Sequence, residues 1–316
     1  SDTSFVTLTN SGTEVARLQL THSNPVMKNN ENRFLTYGIG SSSYEISSFD
    51  ETLYSGNAEN KIYTGDVASN GTYCLVTEDN GYLTTLYAYS KNNNRIYKYS
   101  FSEYYITSVA INKDGSGCVA TGVSSDKGSA VTGVYVLDFS QETPVSTYKI
   151  SGDSVLDCKY LTSDTAVLVG SQASYIVKKG EKNYKTVSYE DKTLSNYCFN
   201  TDTSTYTMAL SRSGDGRSVA LISYNSNGEA QYTINTEHKA DSLSVYKGTV
   251  AILDGNVVYG YNQNGDLLYS TNSGTGSKKI VLASDYTAYI LSVNQIRFID
   301  LDSVSSDDTA QTSKQE

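Results

Sequence analysis

The sequence predicts an all-β chain, a β-propeller of four-stranded antiparallel blades, and three observations predict it. A strand, a Tyr-Asn-x-Asn-Gly turn and a second strand occur at Tyr224-Asn225-Ser226-Asn227-Gly228. The same phrase returns 37 residues later at Tyr261-Asn262-Gln263-Asn264-Gly265. A shorter relative, Thr9-Asn10-Ser11-Gly12, separates the apolar runs Phe5-Val6-Thr7-Leu8 and Val15-Ala16-Arg17-Leu18. Asn-Gly and Ser-Gly between such runs supply the positive φ values that a tight hairpin requires. A repeat of roughly 35 to 45 residues carrying about four short strands is the pattern of a propeller.

Strand and turn signals divide the chain in order. A first unit, Asn24 to Ser55, has strands near Val26, Arg33–Tyr37, Tyr44–Ser48 and Thr52–Tyr54. A second, Lys61 to Tyr99, has Ile62–Val67, Thr72–Glu78, Thr84–Tyr89 and Arg95–Tyr99. In the third, Ile106 to Ile150, Ile106–Ile111 passes through Asn112-Lys113-Asp114-Gly115 into Gly117–Val123. A polar loop, Ser124–Ala130, then precedes Val131–Asp138 and Val145–Ile150. Further units span Ser154–Ser188, Leu194–Thr236 and Asp241–Ser270. Three C-terminal strands (Lys279–Leu282, Tyr286–Leu291, Gln295–Asp300) and two N-terminal ones (Phe5–Leu8, Val15–Leu20) suit a closing blade shared between the termini. Six units and this blade make seven, with eight as the alternative. Residues 1–302 are expected to form one domain and residues 303–316 a polar, flexible tail.

Composition bounds the function. The 316 residues exceed the usual single-core limit of about 250–300, a limit that propellers escape because each blade packs only on its neighbours. A net charge of −10 argues against nucleic acid, which demands a basic stripe. Tyr occurs 28 times and Trp never, while charged residues make up 18%. Such Ser-, Thr- and Asn-rich chains are common outside the cytoplasm of Gram-positive bacteria. No run of about 18 apolar residues is present. The chain begins at Ser1 rather than Met, which reads as a mature or truncated product.

Cys74 and Cys118 hold equivalent places after turns, and Cys158 and Cys198, 40 residues apart, also look equivalent to each other. Neighbouring blades stand about 10 Å apart, whereas a disulfide needs Cα atoms within about 7 Å. Like-for-like pairing is disfavoured, Cys118 with Cys158 stays open, and small buried hydrophobes is the better reading. No C-x-x-C spacing suggests zinc, and no acidic loop matches a calcium site.

No catalytic residues are assigned, and no cofactor. His22 and His238 both fall in polar connections and read as solvated loop histidines, so a Ser-His-Asp triad finds no base. Glycoside hydrolysis needs two facing carboxylates. Acids abound, but many serve turns, as in Asp114-Gly115, Asp215-Gly216 and Asp254-Gly255. Spacing cannot pair acids on different blades.

Ligand binding remains. In propellers the connections between blades, and those between each second and third strand, gather on one face. Here they include Asp79-Asn80-Gly81-Tyr82 and Glu103-Tyr104-Tyr105. Tyr82, Glu103, Tyr104 and Tyr105 are the candidate ligand-binding residues, because tyrosine offers a flat ring and a hydroxyl at low entropic cost. Most other tyrosines are expected to pack between blades.

Asn10-Ser11-Gly12-Thr13-Glu14-Val15 with Asn24-Pro25-Val26 resembles the opening of an uncharacterised propeller family of Gram-positive bacteria. Glu103-Tyr104-Tyr105-Ile106 leading to Val109-Ala110-Ile111-Asn112-Lys113-Asp114-Gly115, and Thr132-Gly133-Val134-Tyr135-Val136-Leu137-Asp138-Phe139, resemble its third unit. The resemblance implies a propeller outside the cell, on the extracellular face of the cytoplasmic membrane or the cell surface, held by an N-terminal transmembrane helix absent from this sequence; a monomer is expected. It carries over no functional residues. Repeats of the Trp-Asp type fit less well, since they need Trp. The leading expectation is a non-enzymatic binding or scaffolding module for a protein, peptide or cell-wall glycan. The alternative is a carbohydrate-active enzyme with paired carboxylates near the central channel.

Overall fold

The computed structural model describes residues 4–9, 11–22, 24–212, 217–293 and 295–301. Asn10, Asp215-Gly216 and the expected tail lie outside them. The described residues form 29 strands and no helix, in two compact units, one of residues 4–9 and 13–188 and one of residues 11–12 and 189–301.

In the first unit, β1 (Ser4–Leu8) and β2 (Glu14–Gln19) form a two-stranded sheet. Four meanders of four strands follow. The first is β3 (Pro25–Asn30), β4 (Arg33–Gly38), β5 (Ser43–Ser47) and β6 (Thr52–Asn57). The next is β7 (Ile62–Val67), β8 (Tyr73–Thr77), β9 (Thr84–Tyr89) and β10 (Arg95–Phe101). Then come β11 (Tyr105–Ile111), β12 (Gly117–Asp126), β13 (Ser129–Asp138) and β14 (Ser146–Ser151), and β15 (Val155–Tyr160), β16 (Thr165–Gly170), β17 (Ala173–Lys178) and β18 (Lys185–Ser188). In the second unit, β19 (Thr193–Asn200) to β22 (Ala230–Thr236) and β23 (Ser242–Tyr246) to β26 (Leu267–Asn272) repeat the pattern. A three-stranded sheet, β27 (Ser277–Ser284), β28 (Thr287–Ser292) and β29 (Ile296–Asp300), follows. The fold is a β-propeller. Six four-stranded sheets, one of three and one of two fit seven blades or eight; the strands read as a shared closing blade fall in the last two.

The repeated phrase is one device used twice. It joins the third strand to the fourth, at β21 (Val219–Asn225) to β22 and at β25 (Val257–Tyr261) to β26. Asn225 Oδ1 accepts from the N–H groups of Asn227 (2.9 Å) and Glu229 (3.0 Å), and Asn262 Oδ1 accepts likewise from Asn264 (2.9 Å) and Asp266 (3.0 Å). The asparagine side chain thus plays a backbone carbonyl, and Gly228 and Gly265 take the positive φ that closes the turn.

Between sheets the packing is apolar. Second strands such as β8 and β16 are buried along their whole length, whereas fourth strands such as β6 and β26 alternate with exposed positions. Cys74, Val76, Leu86, Ile106, Cys118 and Leu137 pack together between the β7–β10 and β11–β14 sheets. All four cysteines are free, three of them buried, and burial pushes their thiols up, that of Cys158 to about 12. Tyrosine supplies the bulk that tryptophan gives elsewhere: Tyr37, Tyr73, Tyr189, Tyr206 and Tyr269 are fully buried.

Each first strand leaves an unpaired edge, and side chains cover part of it. Ile111 N–H donates to Asp66 Oδ2 (2.9 Å), Val155 N–H to Thr132 Oγ1 (3.1 Å) and, in the second unit, Ile280 N–H to Ser242 Oγ (3.2 Å) and Leu282 N–H to Ser244 Oγ (3.0 Å). Bulges recur near the start of these strands, at Tyr63, Thr107, Leu156 and Ser195, where the ladder skips one residue. A bulge bends the strand and re-aims the side chains after it.

Two sequence expectations need correction. Ser124–Ala130 is not a loop: β12 and β13 pair as far as Asp126 and Ser129, and Lys127-Gly128, both at positive φ, make a two-residue hairpin turn. His22 is not solvated. It is buried, with neither ring nitrogen partnered, because Phe5, Leu20 and Phe34 pack the preceding segment down onto the β3–β6 sheet. His238 stacks on Tyr259 at 3.5 Å, with Nδ1 3.6 Å from Asp254.

Gly260 faces Tyr269 across β25 and β26, and a Cβ there would stand 2.0 Å from the ring. The fully buried ring has nowhere to go. Gly260→Ala should therefore cost about 1–3 kcal/mol, the usual cost of overpacking. Urea unfolding measures it, and a loss below about 0.5 kcal/mol would show that the ring yields freely.

Candidate functional site

The first unit presents two features. At one end, short connections are tied together by backbone hydrogen bonds. Gly40 N–H donates to Ile62 O (2.9 Å), Ile62 N–H to Ser41 O (2.8 Å) and Glu78 N–H to Lys61 O (2.9 Å). Ile106 N–H reaches Thr84 Oγ1 (3.4 Å). These bonds bring the β4–β5 turn, the starts of β7, β9 and β11 and the end of β8 to one place.

Tyr82 and Tyr105 both stand there, 52% and 53% exposed, in company with exposed Ile39. Asp79 shapes the loop that carries Tyr82. Its Oδ1 accepts from Gly81 N–H (2.8 Å) and its Oδ2 from Thr85 Oγ1 (2.8 Å), and these bonds hold its carboxyl below the usual range.

The other two candidates behave differently. Glu103 is exposed, and its charge adds to burial in raising the hydroxyls of Tyr99 and Tyr135, the latter to about 12. Tyr104 turns inward. Its ring lies over Gly133, where a Cβ would come within 2.4 Å, and meets Tyr135 edge-on at 6.1 Å. It packs partly against the β11–β14 sheet and is less exposed than Tyr82 and Tyr105. Glycine at 133 is what makes room for it.

The second feature escaped the sequence reading. Lys28 on β3, Asp66 on β7, and Asp157 and Lys159 on β15 line a small cleft of about 130 Å³, with Met27, Asn29, Val109 and Cys158. Lys28 Nζ is 3.7 Å from Asp157 Oδ1, and Lys159 Nζ is 4.0 Å from Asp66 Oδ1. Asp157 Oδ1 also accepts from Cys158 N–H (2.9 Å) and lies 3.3 Å from Ser108 Oγ. Asp66 is 2% exposed, and its Oδ1 has no hydrogen-bond donor.

Burial pushes the Asp66 carboxyl up from 3.8; Lys159, the N–H groups of Ile111 and Val67, and Lys28 only partly counter it. Lys28 moves the opposite way to what burial alone would do. Burial lowers its ammonium, but Asp157, together with Asp66 and more distant groups, raises it further. Among the described residues no three His, Cys, Asp or Glu side chains converge as a metal would require. The signal was present only as charges interrupting apolar strands, in Thr64-Gly65-Asp66-Val67 and Leu156-Asp157-Cys158-Lys159-Tyr160.

With this geometry in hand, comparison with known proteins places the chain. The family model described as "Family of unknown function (DUF5711)" matches residues 1–301. The chain belongs to that family. No curated protein matches it. Among solved structures it is similar to the C-terminal WD40 domain of Sif2, at 15% identity and a TM-score of 0.61, over 86% of this chain and 78% of that one. It is also similar to Hsv2 of Kluyveromyces marxianus, at 11% identity and a TM-score of 0.60, over 91% and 95% of the two chains. A third is U3-55K, at 12% and 0.55, over 88% and 94%. At such identities the likeness concerns the fold alone. It holds without the tryptophan on which the Trp-Asp repeat signature depends.

The Asp66 environment sets a pH dependence. The native state binds a proton at Asp66 before the unfolded chain does, so Asp66 opposes folding above its raised pKa. That penalty fades as pH falls through the raised value towards 3.8. Asp66→Asn removes the charge yet keeps an acceptor for Ile111 N–H. The melting temperature of Asp66→Asn minus that of the parent chain should be more positive at pH 8 than at a pH near 3.8. Equal differences at both pH values would mean that Asp66 titrates as in the unfolded chain.

Proposed function

We propose that this propeller is a non-enzymatic binding or scaffolding module for a protein or peptide. Its contact surface is the end of the first unit that carries Tyr82 and Tyr105. The observation that carries the reading is the pair of half-exposed tyrosine rings on connections already fixed by backbone hydrogen bonds and by Asp79. Rigid aromatic groups lose little freedom on binding and dominate many interfaces. The WD40 neighbours support a scaffold built on this fold, by analogy of architecture. A cell-wall glycan is the other ligand such rings would suit. The module works at the extracellular face of the cytoplasmic membrane, a reading supported by the Ser-, Thr- and Asn-rich, weakly charged composition.

A second reading draws on Asp66 and Asp157 in one cleft, the paired carboxylates of a carbohydrate-active enzyme. It ranks lower, because about 130 Å³ falls short of the roughly 300 Å³ where ligand pockets begin. Each acid also has a lysine beside it. Hydrolysis of a glycan panel that disappears in Asp157→Asn would put this reading first.

Capture from a cell-envelope extract tests the leading one. The parent chain should retain a specific partner, and Tyr82→Ala with Tyr105→Ala should weaken retention at least tenfold, about 1.4 kcal/mol. Undiminished capture by the double variant would move the surface elsewhere, and repeated failure to capture anything would sink the proposal. Protease added to intact cells should cut the chain, and complete protection would overturn the location.

A further inference from the structure

The cleft on the first strands is built as a receptor for charge. Two ammonium groups and two carboxylates surround it, on three strands of different sheets. Neither ion pair closes: 3.7 and 4.0 Å exceed the roughly 2.7–2.9 Å of a charge-assisted hydrogen bond. Asp66 Oδ1 is buried without a donor, which a folded protein seldom tolerates. Asp66 cannot swing away to water, because its Oδ2 is held by Ile111 N–H. What is missing is a group that donates to Asp66 Oδ1 and accepts from the lysines.

Net charge selects among such groups. With both lysines and both aspartates ionised the lining is neutral. An anion or a cation alone would leave one buried charge uncompensated, which is costly. A neutral ligand bearing both charges leaves none. The size of the cleft selects further. One water needs about 10–15 Å³ on this scale, so about 130 Å³ takes several waters or one small organic molecule and excludes a sugar chain.

We propose that the cleft lined by Lys28, Asp66, Asp157 and Lys159 binds a small zwitterionic α-amino acid. The ligand carboxylate accepts from Lys28 and Lys159. The ligand ammonium donates to Asp66 Oδ1 and Asp157. Met27 and Val109 also line the cleft, and its volume suits a glycine- or alanine-sized ligand. This site is separate from the tyrosine-bearing connections. Tyr82→Ala and Tyr105→Ala should leave it unaltered, so this inference and the proposed function fail independently.

The test is a titration of the isotope-labelled chain with glycine, followed by amide NMR shifts, with acetate and methylammonium as the two half-ligands. Glycine should give saturable shifts centred on residues 27–29, 66 and 157–159. Each half-ligand should bind at least tenfold more weakly, as should glycine to Lys28→Met or Lys159→Met. No saturable shift would mean that the cleft holds water only. Equal binding of acetate and glycine would make it an anion site, and undiminished binding to both lysine variants would place the ligand elsewhere; each result overturns the proposal. Should the variants fail to fold, the half-ligand comparison on the unaltered chain decides alone.

Discussion

The unpaired edge of each first strand is the constraint from which most of this molecule follows. A four-stranded meander leaves the N–H and C=O groups of its first strand without a ladder on one side. Such groups are costly to bury unpaired. In this chain the preceding sheet answers them with side chains. Asp66 takes Ile111 N–H, Thr132 takes Val155 N–H, and Ser242 and Ser244 take Ile280 and Leu282 N–H. Thr132, Ser242 and Ser244, hydroxyl residues in otherwise apolar strands, are therefore structural acceptors. Asp66, the carboxylate among these four acceptors, carries a charge that a hydroxyl would not. Lys159 and Lys28 beside it follow from that charge, and so does the charged cleft.

Volume is the second constraint. Without tryptophan, the space between sheets is filled by tyrosine, and a tyrosine hydroxyl must either find a partner or stay dry. Tyr44 and Tyr73 settle it by pairing their hydroxyls at 3.1 Å, and Tyr175 by donating to Asp153 (2.8 Å). Glycine makes the rings fit: Gly133 under Tyr104 and Gly260 under Tyr269 are positions where a methyl group would occupy ring space. Aromatic cover over a strand glycine restores the packing that glycine lacks.

This explains what was legible in advance. Strand positions were readable because turn chemistry is local. Asn225 and Asn262 close their turns with groups at most four residues away, and the phrase that contains them can be seen in the sequence. Tyr82 and Tyr105 were readable as exposed for the same reason, being beside short connections. The inward turn of Tyr104 was not, since what makes room for its ring is a glycine 29 residues later. The cleft was out of reach altogether. Lys28, Asp66 and Asp157 meet only through the lateral packing of β3, β7, β11 and β15, and no spacing rule links residues on separate sheets. The hairpin at Lys127-Gly128 was missed because both flanks are polar, so no alternation announced the ladder.

Buried polar groups of the first unit differ in how they are met. At Asp66 opposite charges stand within 4.0 Å, so the group is compensated even where its hydrogen bond is missing. Where the β1–β2 sheet and the segment after it meet β4 and β5, compensation is thinner. Glu45 is bonded to Thr21 (2.8 and 2.9 Å), but both nitrogens of His22, Thr36 Oγ1 and Ser47 Oγ have no partner. The apolar contact there is also small, resting on Phe5, Leu20 and Phe34 with Leu18. Burial lowers the His22 imidazole against the pull of Glu45, so the ring stays neutral and adds no ion pair. Few apolar contacts and unmet polar groups mark the low end of local stability. By that measure the segment around His22 is less firmly held than the charged cleft, where each buried charge has an opposite charge beside it.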